Sequence, residues 1–281
     1  MKCFYHSADL DGHCSGAIIK REFPRCEIIG INYGDEFPWD KIQPNEKIFM
    51  VDFSLQPFDG MERLNNICML HWIDHHKTAI DEAHKRSFLA YQQHIENGLA
   101  GCELTWEYIY GKSCTTPLGV RLLGRYDVWD NSDSRTLPFQ YGMRNFANTF
   151  PDNIELWEKI FSSDSFCETI IEQGELLLEY ERKQNEKFCK AYSFETVFDG
   201  MKAICANRGF CNSKLFDSVY DPSRHHLMIS FVRMKYPKKL WTVSLYSTRE
   251  DVDCGAIAKK YGGGGHNGAA GFQTKEIPFP M

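Results

Sequence analysis

Cys3-Phe4-Tyr5-His6-Ser7-Ala8-Asp9-Leu10-Asp11-Gly12 is an apolar run that stops on a histidine and two carboxylates. A helical pattern then continues through Ala17, Ile18 and Ile19. Read locally, this is a strand, a tight turn and a helix, with acids gathered in the turn. Asp9 and Asp11 stand two apart, so in extended geometry both side chains point the same way. Like charges this close repel unless a cation neutralises them, and one or two metal ions would do so. Taken alone, the stretch also reads as a solvated Asp-rich turn with an N-cap.

Two later stretches decide between these readings. Lys47-Ile48-Phe49-Met50-Val51-Asp52 is another apolar run that stops on an aspartate, and Cys68-Met69-Leu70-His71-Trp72-Ile73-Asp74-His75-His76 ends in Asp-His-His. Buried parallel strands read as continuous apolar runs, and open α/β sheets place their chemistry at the strands' carboxyl ends. Three strands therefore deliver acids and imidazoles to one edge of one sheet, with Asp9, Asp52 and Asp74 along it. Residues 26–31 add a strand without a ligand, and residues 57–64 read as a short helix. The repeated βαβ pattern implies a mostly parallel sheet with right-handed crossovers.

Further along, a strand is expected near Phe88-Leu89-Ala90-Tyr91, and helices over residues 101–110 and from Thr116-Pro117 through Leu123. Asp127 and Asp130 follow that second helix, where acids at a helix C-terminus are mildly unfavourable. Residues 153–191 read as mostly helical, with Ile170, Ile171, Leu177, Leu178 and Phe188 facing inward. The pattern then changes. Asp199-Gly200 is a hairpin-turn dipeptide between apolar residues. Residues 227–234 and 240–246 read as a second hairpin joined across Tyr236-Pro237-Lys238-Lys239, followed by a helix over 253–261 and a strand over 269–272. The fold class is thus α/β: an N-terminal domain over residues 1–191, including a linker helix, and a smaller α+β domain over 192–281.

Composition narrows the function. The chain has 281 residues, 43% of them hydrophobic and 25% charged, which suits a globular protein of one or two domains. No apolar run approaches the roughly 20 residues that span a bilayer, and Asp9 and Asp11 interrupt any signal-like opening. A cytosolic protein without membrane partners is expected. The eleven cysteines are odd in number and contain no Cys-x-x-Cys pair, so free thiols fit better than a disulfide frame. A net charge of −6 argues against a stable grip on duplex DNA and towards small or short anionic substrates. Oligomeric state is left open.

His6-x-x-Asp9-x-Asp11-Gly12, Val51-Asp52 and Asp74-His75-His76, in this order, resemble the DHH phosphoesterase family, which includes exonucleases of the RecJ kind, nano-RNA-degrading enzymes and cyclic-dinucleotide phosphodiesterases. Gly262-Gly263-Gly264-Gly265-His266-Asn267-Gly268-Ala269-Ala270-Gly271 resembles the signature of the family's associated second domain. The resemblance spans nearly the whole chain. It implies an active-site cleft between the two domains and a pair of divalent ions. His6 and Asp9 would serve one ion, Asp11, His75 and Asp127 the other, and Asp52 would bridge. Asp130 is the alternative to Asp127. The donors are hard oxygens and imidazoles without thiolate, so Mn²⁺ suits them, with Mg²⁺ or another divalent ion as alternatives. Bridged ions roughly 3.5–4 Å apart acidify a shared water and neutralise phosphate charge. Asp52 and His76 are the catalytic residues implied, His76 either facing the substrate or orienting a ligand by a hydrogen bond. Arg249, Gly263, Gly264, Gly265 and His266 would bind substrate, the glycines by letting backbone N–H groups approach an anion. The expected activity is hydrolysis of a phosphoester in short oligonucleotides, dinucleotides or nucleotide derivatives. The alternatives are a longer single-strand exonuclease, a cyclic-dinucleotide phosphodiesterase and a non-catalytic nucleotide-binding protein.

Overall fold

The computed structural model describes residues 1–235 and 239–280. By contacts the chain divides into two units, Met1–Leu178 and Glu179–Met281.

The first unit contains β1 (Lys2–His6), α1 (Leu10–Glu22), β2 (Glu27–Ile31), β3 (Lys47–Val51), α2 (Asp59–Ile67), β4 (Met69–Asp74), α3 (Lys77–Lys85) and β5 (Gln92–Ile95), then α4 (Gly101–Tyr110), α5 (Leu118–Asp127), α6 (Thr136–Arg144) and α7 (Ile154–Ser162). Its five strands lie in the order β2-β1-β3-β4-β5, and every pairing is parallel. Alternate residues of each strand face opposite layers. Phe4, Met50 and Trp72 pack with Met61 and Leu64 of α2 and with Ala79 and Ala83 of α3. Cys3, Tyr5, Phe49, Val51 and Ile73 pack with Ile19 of α1 and Leu104 of α4. Both faces of the central strands are covered, so β1, β3 and β4 are largely apolar, while the edge strand β5 is Gln92-Gln93-His94-Ile95. The chain leaves β1 towards β2 and returns on the other side as β3. That reversal is the topological switch point of a doubly wound sheet, where its crevice forms. His6 ends β1 and Asp52 follows β3, so both sit there.

The strand anticipated at 88–91 forms later, at β5, in register with β4 from His71↔Gln92. Leu89 and Tyr91 are apolar but exposed, and the apolar pattern there belongs to a surface loop. The helix expected at 57–64 is shifted to α2, and Thr116 and Pro117 precede α5 rather than opening it.

The helix α8 (Asp164–Tyr192) runs across the division. Ile170 and Ile171 join the first unit's core, and Cys189 packs with Ile204, Phe216 and Met228 of the second. The division therefore falls within the helix, whereas the sequence placed it near the helix end. The second unit holds β6 (Phe194–Phe198), β7 (Met201–Asn207), β8 (Leu227–Arg233), β9 (Trp241–Tyr246), α9 (Cys254–Lys260), β10 (Gly264–Gly265) and β11 (Ala269–Thr274). They form a mixed six-stranded sheet in the order β10-β11-β9-β8-β7-β6. Asp199 and Gly200, at φ 51° and 78°, join β6 to β7, as the positive φ angles of a two-residue type I′ turn require. β8 and β9 pair antiparallel, and their link through Tyr236-Pro237-Lys238 lies outside the described residues.

Candidate metal centre

Local chain geometry aims each side chain at the switch point. A β-carbon on Gly12 would lie 1.9 Å from the His6 carbonyl oxygen, so only glycine lets α1 begin this close to β1. Asp9 is the N-cap of α1. Its Oδ1 accepts from Gly12 N–H at 2.9 Å, leaving Oδ2 to face His6 Nδ1 at 3.0 Å. Asp11 lies in the first turn of α1 rather than in extended chain, so it does not point with Asp9. Its buried carboxylate accepts from Gly101 N–H at 2.8 Å and Cys102 N–H at 2.7 Å, the amino end of α4.

Asp52 stands just past β3 with φ 53°, a left-handed conformation that is uncommon for a residue with a side chain. Its amide donates to Ile73 O at 2.9 Å, and the residue is 1% exposed. Oδ2 lies 3.6 Å from His6 Nδ1, and Oδ1 lies 3.1 Å from His75 Nε2. One oxygen faces each imidazole. His75 Nε2 is also 3.3 Å from Asp127 Oδ2 and 3.6 Å from Asp11 Oδ2. Ligand atoms of His6, Asp9 and Asp52 converge in one group, those of Asp11, His75 and Asp127 in a second, and those of Asp52, His75 and His76 in a third. Asp130 lies outside these groups and pairs with Arg125 at 3.7 Å.

Asp74 is the residue whose part the sequence did not reveal. Fully buried, its Oδ1 accepts from His75 N–H at 2.8 Å, His76 N–H at 3.2 Å and His76 Nδ1 at 2.7 Å. It thereby fixes the histidine pair. The other residue without a sequence signal is Gly101, which clamps Asp11 from above. His71 is buried on the strand, with Nδ1 2.5 Å from the Tyr108 hydroxyl, and takes no part in the centre.

The electrostatics call for a cation. Burial opposes charge on His6 and His75, but the Asp52 carboxylate that accepts from both, with Asp9 beside His6, overcomes it and lifts both to about 10. Burial would raise Asp52, yet those two imidazoles hold it near 2. Asp127 is raised to about 6 by burial and by the Asp52 charge, and Asp11 is raised for the same two reasons. His6 Nδ1 and Asp52 Oδ1 are buried and have no partner beyond the ionisable groups they face within the cluster. Four carboxylates and two imidazoles with orphaned donor atoms fit hard divalent ions.

The glycine-rich segment is built differently from an open anion cradle. Gly264 and Gly265 form β10 and pair with Gly271 and Ala270 of β11. β-Carbons on Gly263 and Gly265 would lie 2.1 Å from Gly271 O and 2.5 Å from Ala270 Cα, so these glycines permit close strand contact. Gly264 faces open space, and His266 is exposed at the hairpin's tip, its amide bonded to Ala269 O at 2.8 Å. Arg249 is held by Asp251 at 2.6 and 2.8 Å and by Pro222 O at 2.7 Å. All eleven cysteines are free. No described helix is long and apolar enough to cross a membrane.

A parallel sheet whose switch point gathers carboxylates and imidazoles, followed by a mixed-sheet unit, defines the class of protein. No family model matches the chain. Among curated proteins, an uncharacterized protein of Acanthamoeba polyphaga mimivirus is 28% identical over 88% of this chain, and the oligoribonuclease NrnB of Bacillus subtilis is 22% identical over 99% of it. The chain spans 57% of the first protein's length and 74% of the second's. Among solved structures, the pGpG-specific phosphodiesterase PggH from Vibrio superposes with a TM-score of 0.56 at 14% identity, covering 97% of this chain and 92% of that one. An exopolyphosphatase-related protein from Bacteroides fragilis gives a TM-score of 0.50 at 14% identity, covering 100% and 87%. These structural likenesses are of fold. In fold and in the order of its motifs, the chain resembles the DHH phosphoesterases.

Proposed function

We propose that this chain is a divalent-metal-dependent phosphoesterase that hydrolyses a phosphodiester in a dinucleotide or short oligonucleotide. The observation that carries the reading is the placement of Asp52, whose two oxygens face two separate ligand groups across the switch point. His6 and Asp9 would hold one ion and Asp11, His75 and Asp127 the other, with Asp52 shared. Mn²⁺ suits this set of oxygens and imidazoles. Bound ions of this kind supply an acidified water near neutral pH and offset the charge of the phosphate.

The chain's own residues do the rest. The peptide N–H groups at the start of α4 keep Asp11 in place and partly offset the effect of its burial. Asp74 holds His76 through Nδ1, and His76 would serve as the donor to a phosphate or leaving-group oxygen. A hollow of about 640 Å³ beside His75 leaves room within the first unit on that flank, with Glu103 and the Arg125–Asp130 pair on its wall. Gly263, Gly264, Gly265, His266 and Arg249 are proposed to hold the substrate's far end. Gly264 and His266 are the members with free surface, while Arg249 would act from within its Asp251 pair. The names of the relatives, an oligoribonuclease and a dinucleotide phosphodiesterase, support a short nucleotide substrate.

The test is an assay with Mn²⁺ against dinucleotides, two- to five-residue oligonucleotides, a long single strand, cyclic dinucleotides, 3′-phosphoadenosine 5′-phosphate and pyrophosphate. Turnover concentrated on linear short substrates supports the reading. Turnover of none of them, with metal bound, would leave a nucleotide-binding protein.

A further inference from the structure

The same sheet edge carries a feature that the metal centre does not use. A pocket of about 350 Å³ opens between the segment after β2 and the start of α2. Phe37, Trp39, Phe53 and Leu55 give it apolar walls. Tyr33 and Phe53 pack ring to ring at 4.6 Å, and their centroids lie 5.7 and 5.8 Å from that of His6. Pocket and metal centre therefore share a wall. Tyr33 is 48% exposed there, an open aromatic edge beside a cluster of charges.

Two polar details define what the pocket could take. Asn32 is on the lining, and its Oδ1 is buried without a hydrogen-bond partner. An acceptor shielded from water in this way is unfavourable until a donor reaches it. Asp35 and Asp59 lie on the lining together with Arg63, and Asp59 is paired with Arg86, so the wall carries charges of both signs rather than the cluster of cations that would select a phosphate. A flat group with apolar faces and an N–H edge meets all of these conditions: it stacks or packs on the rings and donates to Asn32. That is a nucleobase.

We propose that this pocket receives the base of the nucleotide whose phosphate lies at the metal centre. The inference rests on the phosphoesterase reading for the position of the phosphate, while base binding itself does not require turnover. Base contacts in such a pocket would set which side of the scissile bond is held by the first unit and would favour nucleotide esters over simple phosphodiesters.

The experiment has a binding arm and a kinetic arm. Saturation transfer from metal-free protein to guanosine and adenosine, with ribose as the base-free control, reads base binding directly. Wild type should show transfer to base protons and none to ribose, and Asn32→Ala and Trp39→Ala should reduce it severalfold. Asn32→Ala removes an unpaired side chain, so it decides the matter if Trp39→Ala fails to fold. In the kinetic arm, Asn32→Ala should raise KM for a dinucleotide about tenfold, the loss of one good contact, with a smaller change in kcat. Nucleoside binding that is absent, or equal in wild type and variants, overturns the pocket whatever the kinetics. Variant-sensitive binding without hydrolysis of any nucleotide keeps the pocket and removes the phosphoesterase reading.

Discussion

A β-carbon on Gly101 would lie 2.6 Å from the β-carbon of Asp52 and 2.8 Å from its Oδ1. Gly101 also gives its N–H to Asp11. One glycine at the start of α4 thus lets two of the proposed ligands take their places. Gly101→Ala must push Asp52 or the helix away, and overpacking of this kind costs about 1–3 kcal/mol. The expected outcome is a folded protein with modestly lower thermal stability and at least about tenfold weaker Mn²⁺ binding, since 1.4 kcal/mol is a factor of ten. Calorimetric titration of Mn²⁺ checks it. Wild-type affinity would show that Asp52 does not need this space.

Asp52→Asn keeps the shape and removes the charge that both imidazoles face. Because Asp52 is proposed to touch both ions, metal content should fall for the pair and turnover should be lost, with the circular dichroism spectrum unchanged. Near wild-type hydrolysis in Mn²⁺ would sink the shared-ligand assignment.

Proton release supplies a pH test. Without cations His6 and His75 titrate at about 10, so both hold a proton at pH 7. An ion must displace these protons, and Mn²⁺ loading at pH 7 should release about two of them. The sign follows: affinity strengthens as pH rises from 7 towards 10. Near pH 6 Asp127 begins to hold a proton as well, so release per ion should increase there. Titrations in buffers of differing ionisation enthalpy read the proton count. Affinity independent of pH would show that the two imidazoles are not displaced donors.

The strand ends are legible in the sequence because the buried strands β3 and β4 are largely apolar runs that stop abruptly at Asp52 and Asp74. The order of those strands brings the ligands together without further information. The direction of Asp11 is not legible. A spacing of two implies a shared face only in extended chain, and Gly12 lets a helix begin at Leu10 instead. The choice between Asp127 and Asp130 needs the phase of α5 relative to β4, which no local pattern carries. The glycine run states only that backbone comes close to something. In the structure, that partner is β11.

Asp74 offers the test that separates positioning from metal binding. It is buried, its Oδ1 accepts three hydrogen bonds, and its hydrogen bond to His76, followed by its charge, raises His76 against the lowering effect of burial. Asn at this position retains an acceptor for the two backbone N–H groups but loses the charge. His76 should then give up its proton at a lower pH than in wild type. If His76 acts as the proton donor, the protonated form is the active one, and activity falls as pH rises through its pKa. The descending alkaline limb of kcat should therefore move to lower pH in Asp74→Asn, with kcat reduced about tenfold to a hundredfold, within the usual range for a positioned acid. Metal content should stay at the wild-type level, because no proposed metal ligand is altered. A profile whose alkaline limb stays in place while kcat falls would make Asp74 a purely structural support. Loss of metal instead would mean that Asp74 acts through His75.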